Sequence, residues 1–128
     1  MKILLFIEDD TATQKIYLDR LTAEGFTVLI AASGEQGLDY IKQNQPDIIL
    51  LDILLSGPLD GFDVLQKIKT DSKFKDIPVI VLTNLDEREK VAKEFGAIEY
   101  LVKTNVSLDD VVSRIKANLE NSQPKTQP

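Results

Sequence analysis

The sequence predicts an α/β domain built on a five-stranded parallel sheet with helices on both faces. Three observations carry that expectation. Short, almost uninterrupted apolar runs recur along the chain, as in strands buried on both sides. Helix start and stop signals lie between them. The 128 residues are enough for one domain with a core of its own, without help from a disulfide or structural metal.

The elements follow in chain order. Residues 3–7 form the first apolar run, and Thr11 with Gln14 behind it has the spacing of a helix-capping box. Gly25 marks a helix stop and opens a second, largely apolar run at 26–31. Ser33 with Gln36 repeats the capping spacing, and Pro46 and Asp47 punctuate the entry to the third run, 48–51. Val64, Leu65 and Ile68 recur at helical spacing before the fourth run at 79–82. Gly96 ends a fourth helix ahead of a weaker run at 98–102. Ser107 and two acids then start a last helix, whose apolar stripe is Leu108, Val111, Val112, Ile115 and Leu119. Each strand-to-strand crossover must lay its helix back on the sheet, which makes the connections right-handed. Residues 1–121 are assigned to the domain and the polar residues 122–128 to a flexible tail.

Composition narrows the chemistry. Lys plus Arg number 15 against 21 Asp plus Glu, a formal charge of -6, so the general attraction to nucleic acid phosphates and anionic membranes is missing. No stretch is long and apolar enough to span a membrane and no signal peptide is evident, so a cytoplasmic location is expected. Cysteine and histidine are both absent, which removes thiol nucleophiles, His bases and the usual zinc sites.

What remains gathers at the C-terminal ends of the apolar runs: Glu8 and Asp9 after the first, Asp52 after the third, Thr83 after the fourth and Lys103 near the fifth. In an open parallel sheet these ends share one edge, where ligands bind at the reversal of strand order. Three converging carboxylates would repel one another, so a cation is expected among them. An all-oxygen donor set favours a hard ion such as Mg²⁺. Lys103 and Thr83 offer a positive charge and a hydroxyl donor for phosphoryl oxygens, and a carboxylate can itself be the nucleophile. The set describes phosphoryl transfer to a protein aspartate. Asp10 is read as a helix cap only.

The stretches Ile3-Leu-Leu-Phe-Ile-Glu-Asp-Asp10, Pro46-Asp-Ile-Ile-Leu-Leu-Asp-Ile53, Asp60-Gly-Phe-Asp-Val-Leu65, Pro78-Val-Ile-Val-Leu-Thr83 and Gly96-Ala-Ile-Glu-Tyr-Leu-Val-Lys103 resemble, in order and spacing, the receiver domains of two-component response regulators. The resemblance implies a flavodoxin-like doubly wound sheet of order 2-1-3-4-5. It implies Asp52 as phosphoacceptor and Glu8 and Asp9 as the acidic pair for Mg²⁺, with the backbone carbonyl of Leu54 as a further metal ligand. It implies Thr83 as the switch hydroxyl, Lys103 as the phosphate-contacting lysine and Tyr100 as the aromatic that packs inward on activation. The function implied is a signalling switch that is no enzyme beyond its own phosphorylation and dephosphorylation. A sensor histidine kinase donates the phosphoryl group, and the surface of the fourth helix, fifth strand and fifth helix changes its affinity for an effector. Other uses of the same parts are a phosphorelay intermediate serving a histidine phosphotransfer protein, a phosphorylation-dependent homodimer, and a degenerate receiver acting by binding alone. With no output domain following, the effector is expected to be another molecule or a segment beyond this sequence.

Rival chemistries fit less well. An aspartyl-phosphate phosphatase usually carries a second acid two residues after its nucleophile, where this chain has Leu54. A flavin or nucleotide site would need a phosphate loop that the first strand does not lead into.

Four departures from the family pattern stand out. The stretch 53–59, Ile-Leu-Leu-Ser-Gly-Pro-Leu, is one residue longer than expected and places Ser56 where proline is common. Thr104 follows Lys103 where the family has proline after a cis bond. Because a cis bond before another residue costs roughly 2.5–4 kcal/mol, either strain or a differently routed loop is expected there. Asn84 replaces a smaller residue beside Thr83. Leu54 and Leu85 stand at the two positions that in the family tend to flank the route of the hydrolytic water, and neither offers it a hydrogen bond, so the resemblance implies a long-lived phosphorylated form.

Overall fold

The structure is a computed structural model and describes residues 1–121, so the flexible tail expected at 122–128 lies outside the described residues. Five strands form where the apolar runs fall: β1 (Ile3–Ile7), β2 (Thr27–Ala31), β3 (Ile48–Leu51), β4 (Val79–Thr83) and β5 (Glu99–Val102). Between and after them lie α1 (Thr11–Ala23), α2 (Gly34–Asn44), α3 (Gly61–Lys69), α4 (Glu89–Glu94) and α5 (Leu108–Asn121), with a 3-10 turn at Lys103–Asn105. All neighbouring strands run parallel, in the order β2-β1-β3-β4-β5. This is the flavodoxin-like arrangement.

Burial explains the composition of each strand. β3 and β4 are buried at every position, and both are Ile, Leu and Val apart from the terminal Thr83. The edge strands β2 and β5 are mostly half-buried and carry Thr27, Glu99 and Tyr100. Alternation along the strands divides the core into two layers. Leu4, Phe6, Leu50 and Leu82 face one side, where Leu21 of α1 and Val111, Val112 and Ile115 of α5 cover them. Leu5, Ile7, Leu51 and Val81 face the other, beneath Ile41 of α2, Val64, Leu65 and Ile68 of α3 and Ala92 of α4.

The helix ends refine the expected caps. Asp10, not Thr11, caps α1: its Oδ2 accepts from the Thr13 amide at 2.8 Å and the Thr13 hydroxyl at 2.6 Å, while Thr11 is already the first helical residue. A carboxylate one position earlier outcompetes the hydroxyl because it is a charged acceptor at the positive end of the helix dipole. Ser33 does cap α2 by accepting from the Gln36 amide, but the Gln36 side chain reaches past it to the Ala32 amide. Reciprocal capping boxes form at Asp60 with Asp63 and at Ser107 with Asp110. Gly96 adopts φ 107° as the chain leaves α4 for β5, a conformation that glycine takes without steric cost. α4 has only six residues, and no side chain caps its start at Arg88.

Candidate phosphoacceptor site

β1 and β3 deliver their acids to one place because they are adjacent. The Asp52 amide donates to the Ile7 carbonyl at 3.0 Å, which sets the end of β3 beside Glu8. Glu8 is 1% exposed and Asp52 4%, and Thr83 at the end of β4 is fully buried. Such groups require partners. Lys103 supplies one for both acids: its ammonium bonds Asp52 Oδ2 at 3.1 Å and Glu8 Oε1 more closely still. The second oxygen of Glu8 accepts from the Asp10 amide at 3.1 Å, and Oδ1 of Asp52 accepts from the Leu54 amide at 3.0 Å. Gln14, near the start of α1, donates to the Glu8 carbonyl at 2.6 Å.

Burial pushes the Glu8 carboxyl up, opposed by the Lys103 hydrogen bond, and the charge of Asp52 adds to the rise. Burial by itself would pull the Lys103 ammonium down, but its bond to Glu8 and the charge of Asp52 outweigh that and hold it above the usual lysine value. The ammonium is thus a cation shared by the two buried acids. The sequence implied three carboxylates converging on a metal. In the structure Lys103 pairs with two of these, Glu8 and Asp52, while Asp9 bonds Ser56.

Asp9 is half-exposed, and its Oδ2 accepts from both the amide and the hydroxyl of Ser56, each at 2.9 Å. The Ser56 amide lowers the Asp9 carboxyl, with its hydroxyl and, more weakly, the Lys103 charge adding to the effect against partial burial. The stretch 53–59 therefore folds over the acidic edge. Gly61 makes that approach possible: a Cβ there would lie 2.3 Å from the Asp52 carbonyl oxygen and 2.4 Å from the Ile53 Cα. The Leu54 side chain is 51% exposed, beside the site and not inside it.

Thr83 and Tyr100 meet through the β4–α4 connection. The Thr83 hydroxyl accepts from the Leu85 amide at 3.3 Å, and the Tyr100 hydroxyl donates to the Leu85 carbonyl. Neither forms a hydrogen bond with Asp52. Asn84 is exposed and Leu85 half-buried. At Lys103–Thr104 the second of the two expected outcomes holds: the bond is trans and the chain runs into the Lys103–Asn105 turn.

The sequence-predicted residues thus fall into two groups, Glu8, Asp9, Asp52 and Lys103 in one and Thr83 and Tyr100 in the other. Ser56 and Gly61 were legible only as a departure and as part of a motif, and Gln14 only as a cap partner. No local signal pointed to their bonds with residues far away in sequence.

The family model described as the response regulator receiver domain matches residues 4–116. The chain belongs to this family. The curated relatives of this receiver domain include the transcriptional regulatory protein AfsQ1 of Streptomyces coelicolor, 42% identical over 80% of this chain and 45% of that protein. The transcriptional regulatory protein BaeR of Escherichia coli is 32% identical over 95% of this chain and 50% of its own length. The chain spans about half the length of the curated relatives it matches. Among solved structures, a response regulator from Chloroflexus aurantiacus superimposes with a TM-score of 0.86 at 30% identity, covering 94% of this chain and 98% of that one. The Mn²⁺-bound form of response regulator Rcp1 does so with a TM-score of 0.77 at 26% identity, covering 100% of this chain and 99% of that one. No described helix is long and apolar enough to cross a membrane.

Proposed function

We propose that this receiver domain is a phosphorylation switch in which Asp52 accepts a phosphoryl group from the phosphohistidine of a sensor kinase. The observation that carries the reading is the placement of a buried Asp52 carboxylate 3.1 Å from the Lys103 ammonium. One Asp52 oxygen attacks phosphorus, the bond from phosphorus to the donor nitrogen breaks, and the imidazole leaves with the electron pair. Lys103 is positioned to follow the negative charge from Asp52 onto the transferred oxygens. Its tie to Glu8 keeps it at the site while that happens.

The residues present fit a hard divalent ion. Asp9 and Asp52 offer carboxylate oxygens and Leu54 a backbone carbonyl, while Glu8 anchors Lys103 and adds negative charge behind it. Mg²⁺ takes one or two carboxylates and keeps several waters, so a complete protein cage is not required. When bound, the ion neutralises phosphoryl charge. The Mn²⁺-bound form of Rcp1 supports this assignment.

Thr83 and Tyr100 form the response. Phosphorylation favours the state in which the Thr83 hydroxyl leaves the Leu85 amide for the phosphoryl oxygens, and the β4–α4 connection held by Tyr100 follows. The surface formed by α4, β5 and α5 then changes its affinity for an effector, in the cytoplasm. The transcriptional roles in the names of AfsQ1 and BaeR support a regulatory output. The domain catalyses nothing beyond its own phosphorylation and dephosphorylation.

Intact mass after incubation with acetyl phosphate, with and without Mg²⁺, tests the reading. A Mg²⁺-dependent gain of one phosphoryl group that Asp52→Asn abolishes is expected. No gain, even with a broad-specificity kinase present, rejects it. With Leu54 and Leu85 beside the site, the phosphorylated form should persist for many minutes, and a half-life of seconds in a dephosphorylation time course would contradict that.

A further inference from the structure

We propose that Ser56 is a positioning residue that sets the Mg²⁺ affinity of the site by fixing the carboxylate of Asp9. The inference rests on the metal reading above and extends it to a residue that takes no part in phosphoryl transfer.

The carboxylates of the site are held to different degrees. Glu8 is bonded at both oxygens and Asp52 at both of its own, to Lys103 and backbone amides on the same sheet edge. Asp9 follows the last residue of β1 by two positions and is half-exposed, and it is bonded by the two donors of Ser56, with no cation bonded to it among the described residues. Left alone, such a side chain samples several rotamers and must give up that freedom to bind a metal. Here Ser56 removes the freedom beforehand. Two donors from one residue converge on the single oxygen Oδ2, each at 2.9 Å, which specifies both the rotamer and the rotation of the carboxylate plane. The other oxygen, Oδ1, lies outside both bonds.

The contact depends on the local sequence. A residue at 56 must keep its amide hydrogen and carry a hydroxyl, and serine does both. The turn that presents it uses Gly57 at φ 97° and Pro58. Ser56 and Asp9 are 47 positions apart, so the bond ties the β3–α3 connection to the start of α1 across the mouth of the site. Losing a group that orients a metal ligand from behind typically costs about 10–100-fold in metal affinity.

The alternative role is a loop staple with no bearing on metal, and the two roles predict different measurements. Mg²⁺ is titrated by calorimetry into the unphosphorylated domain, with Mn²⁺ binding followed by electron paramagnetic resonance as a second probe and no phosphodonor present. Ser56→Ala removes one of the two bonds and should raise both dissociation constants by about tenfold, the low end of the range for such partners. Ser56→Thr keeps the hydroxyl and should restore them toward wild type, and Asp9→Asn should bind far more weakly than either. Thermal melts without metal report the staple role separately. A Ser56→Ala protein that melts earlier but binds Mg²⁺ with unchanged or tighter affinity overturns the inference and leaves the metal reading intact. Wild-type protein that binds neither ion overturns the metal reading, and the inference with it.

Discussion

Around Asp52 each acid is bonded: Asp52 to Lys103 and the Leu54 amide, Glu8 to Lys103 and the Asp10 amide, Asp9 to Ser56. Further along the same sheet edge, the 84–88 connection depends on Leu85, which bonds Thr83 through its amide and Tyr100 through its carbonyl. The helix that follows is six residues long and lacks a side-chain cap, and Glu87 before it has φ 64°, a left-handed value uncommon for a residue with a side chain. One half of the edge is pinned by interlocking charges and the other by a few neutral bonds. A group that performs chemistry must be held in place before its reactant arrives. A segment that reports on the chemistry must have two states of similar free energy. The fold serves both needs by giving them different strands of one sheet.

The comparison can be broken from either side. Gly61→Ala should have the largest effect, since its Cβ would meet backbone atoms of Asp52 and Ile53 that have nowhere to move. A loss of about 3 kcal/mol in urea unfolding is expected, as for overpacking against an unyielding neighbour. A neutral result would mean that the 53–59 connection is loose, and the pinned half would lose its distinction.

Lys103→Met leaves Glu8 and Asp52 buried without a cation, and the domain should lose about 2 kcal/mol, part of which excess Mg²⁺ returns. A variant more stable than wild type in metal-free buffer would show that the lysine is not what stabilises the acids.

Tyr100→Phe removes a single neutral hydrogen bond and should cost about 1 kcal/mol or less overall. Its signature is local: hydrogen exchange should quicken at the amides of 84–88 and stay unchanged in β1 and β3. Equal acceleration everywhere would dissolve the contrast between the halves.

The smallest effect is expected at Glu99, on the outer side of the responsive half. Burial opposes ionisation there, but hydrogen bonds from Arg114 and Asn118 and the Arg114 charge outweigh it, so the Glu99 carboxyl lies below its usual value. A lowered folded value stabilises the domain above the usual glutamate range, and that stability is lost as pH falls through the lower folded value. Glu99→Gln should therefore show a slightly lower urea midpoint at neutral pH and match wild type in acid well below that range. A gap that persists in acid would assign the effect to packing.

Periodicity and end-of-run chemistry were enough to place five strands, the helices between them and the acids, hydroxyl and lysine that share the sheet's edge. Those signals are local: continuous burial selects an apolar run, and a parallel sheet brings all its strand ends to one side. The exact caps were less legible, since Asp10 and Thr11 both look like good starts and only the backbone path decides which side chain reaches the Thr13 amide. Still further from view were the pairings made across the sheet. That the cation between Glu8 and Asp52 is Lys103, that Asp9 turns to Ser56, and that the chain after Lys103 follows a 3-10 turn all depend on residues 40 or more positions apart or on competition among loop conformers. Sequence determined which chemical groups arrive at the edge, because strand burial is written residue by residue. Tertiary structure decided which of them bond, because a buried charge takes whatever partner the finished fold leaves within reach.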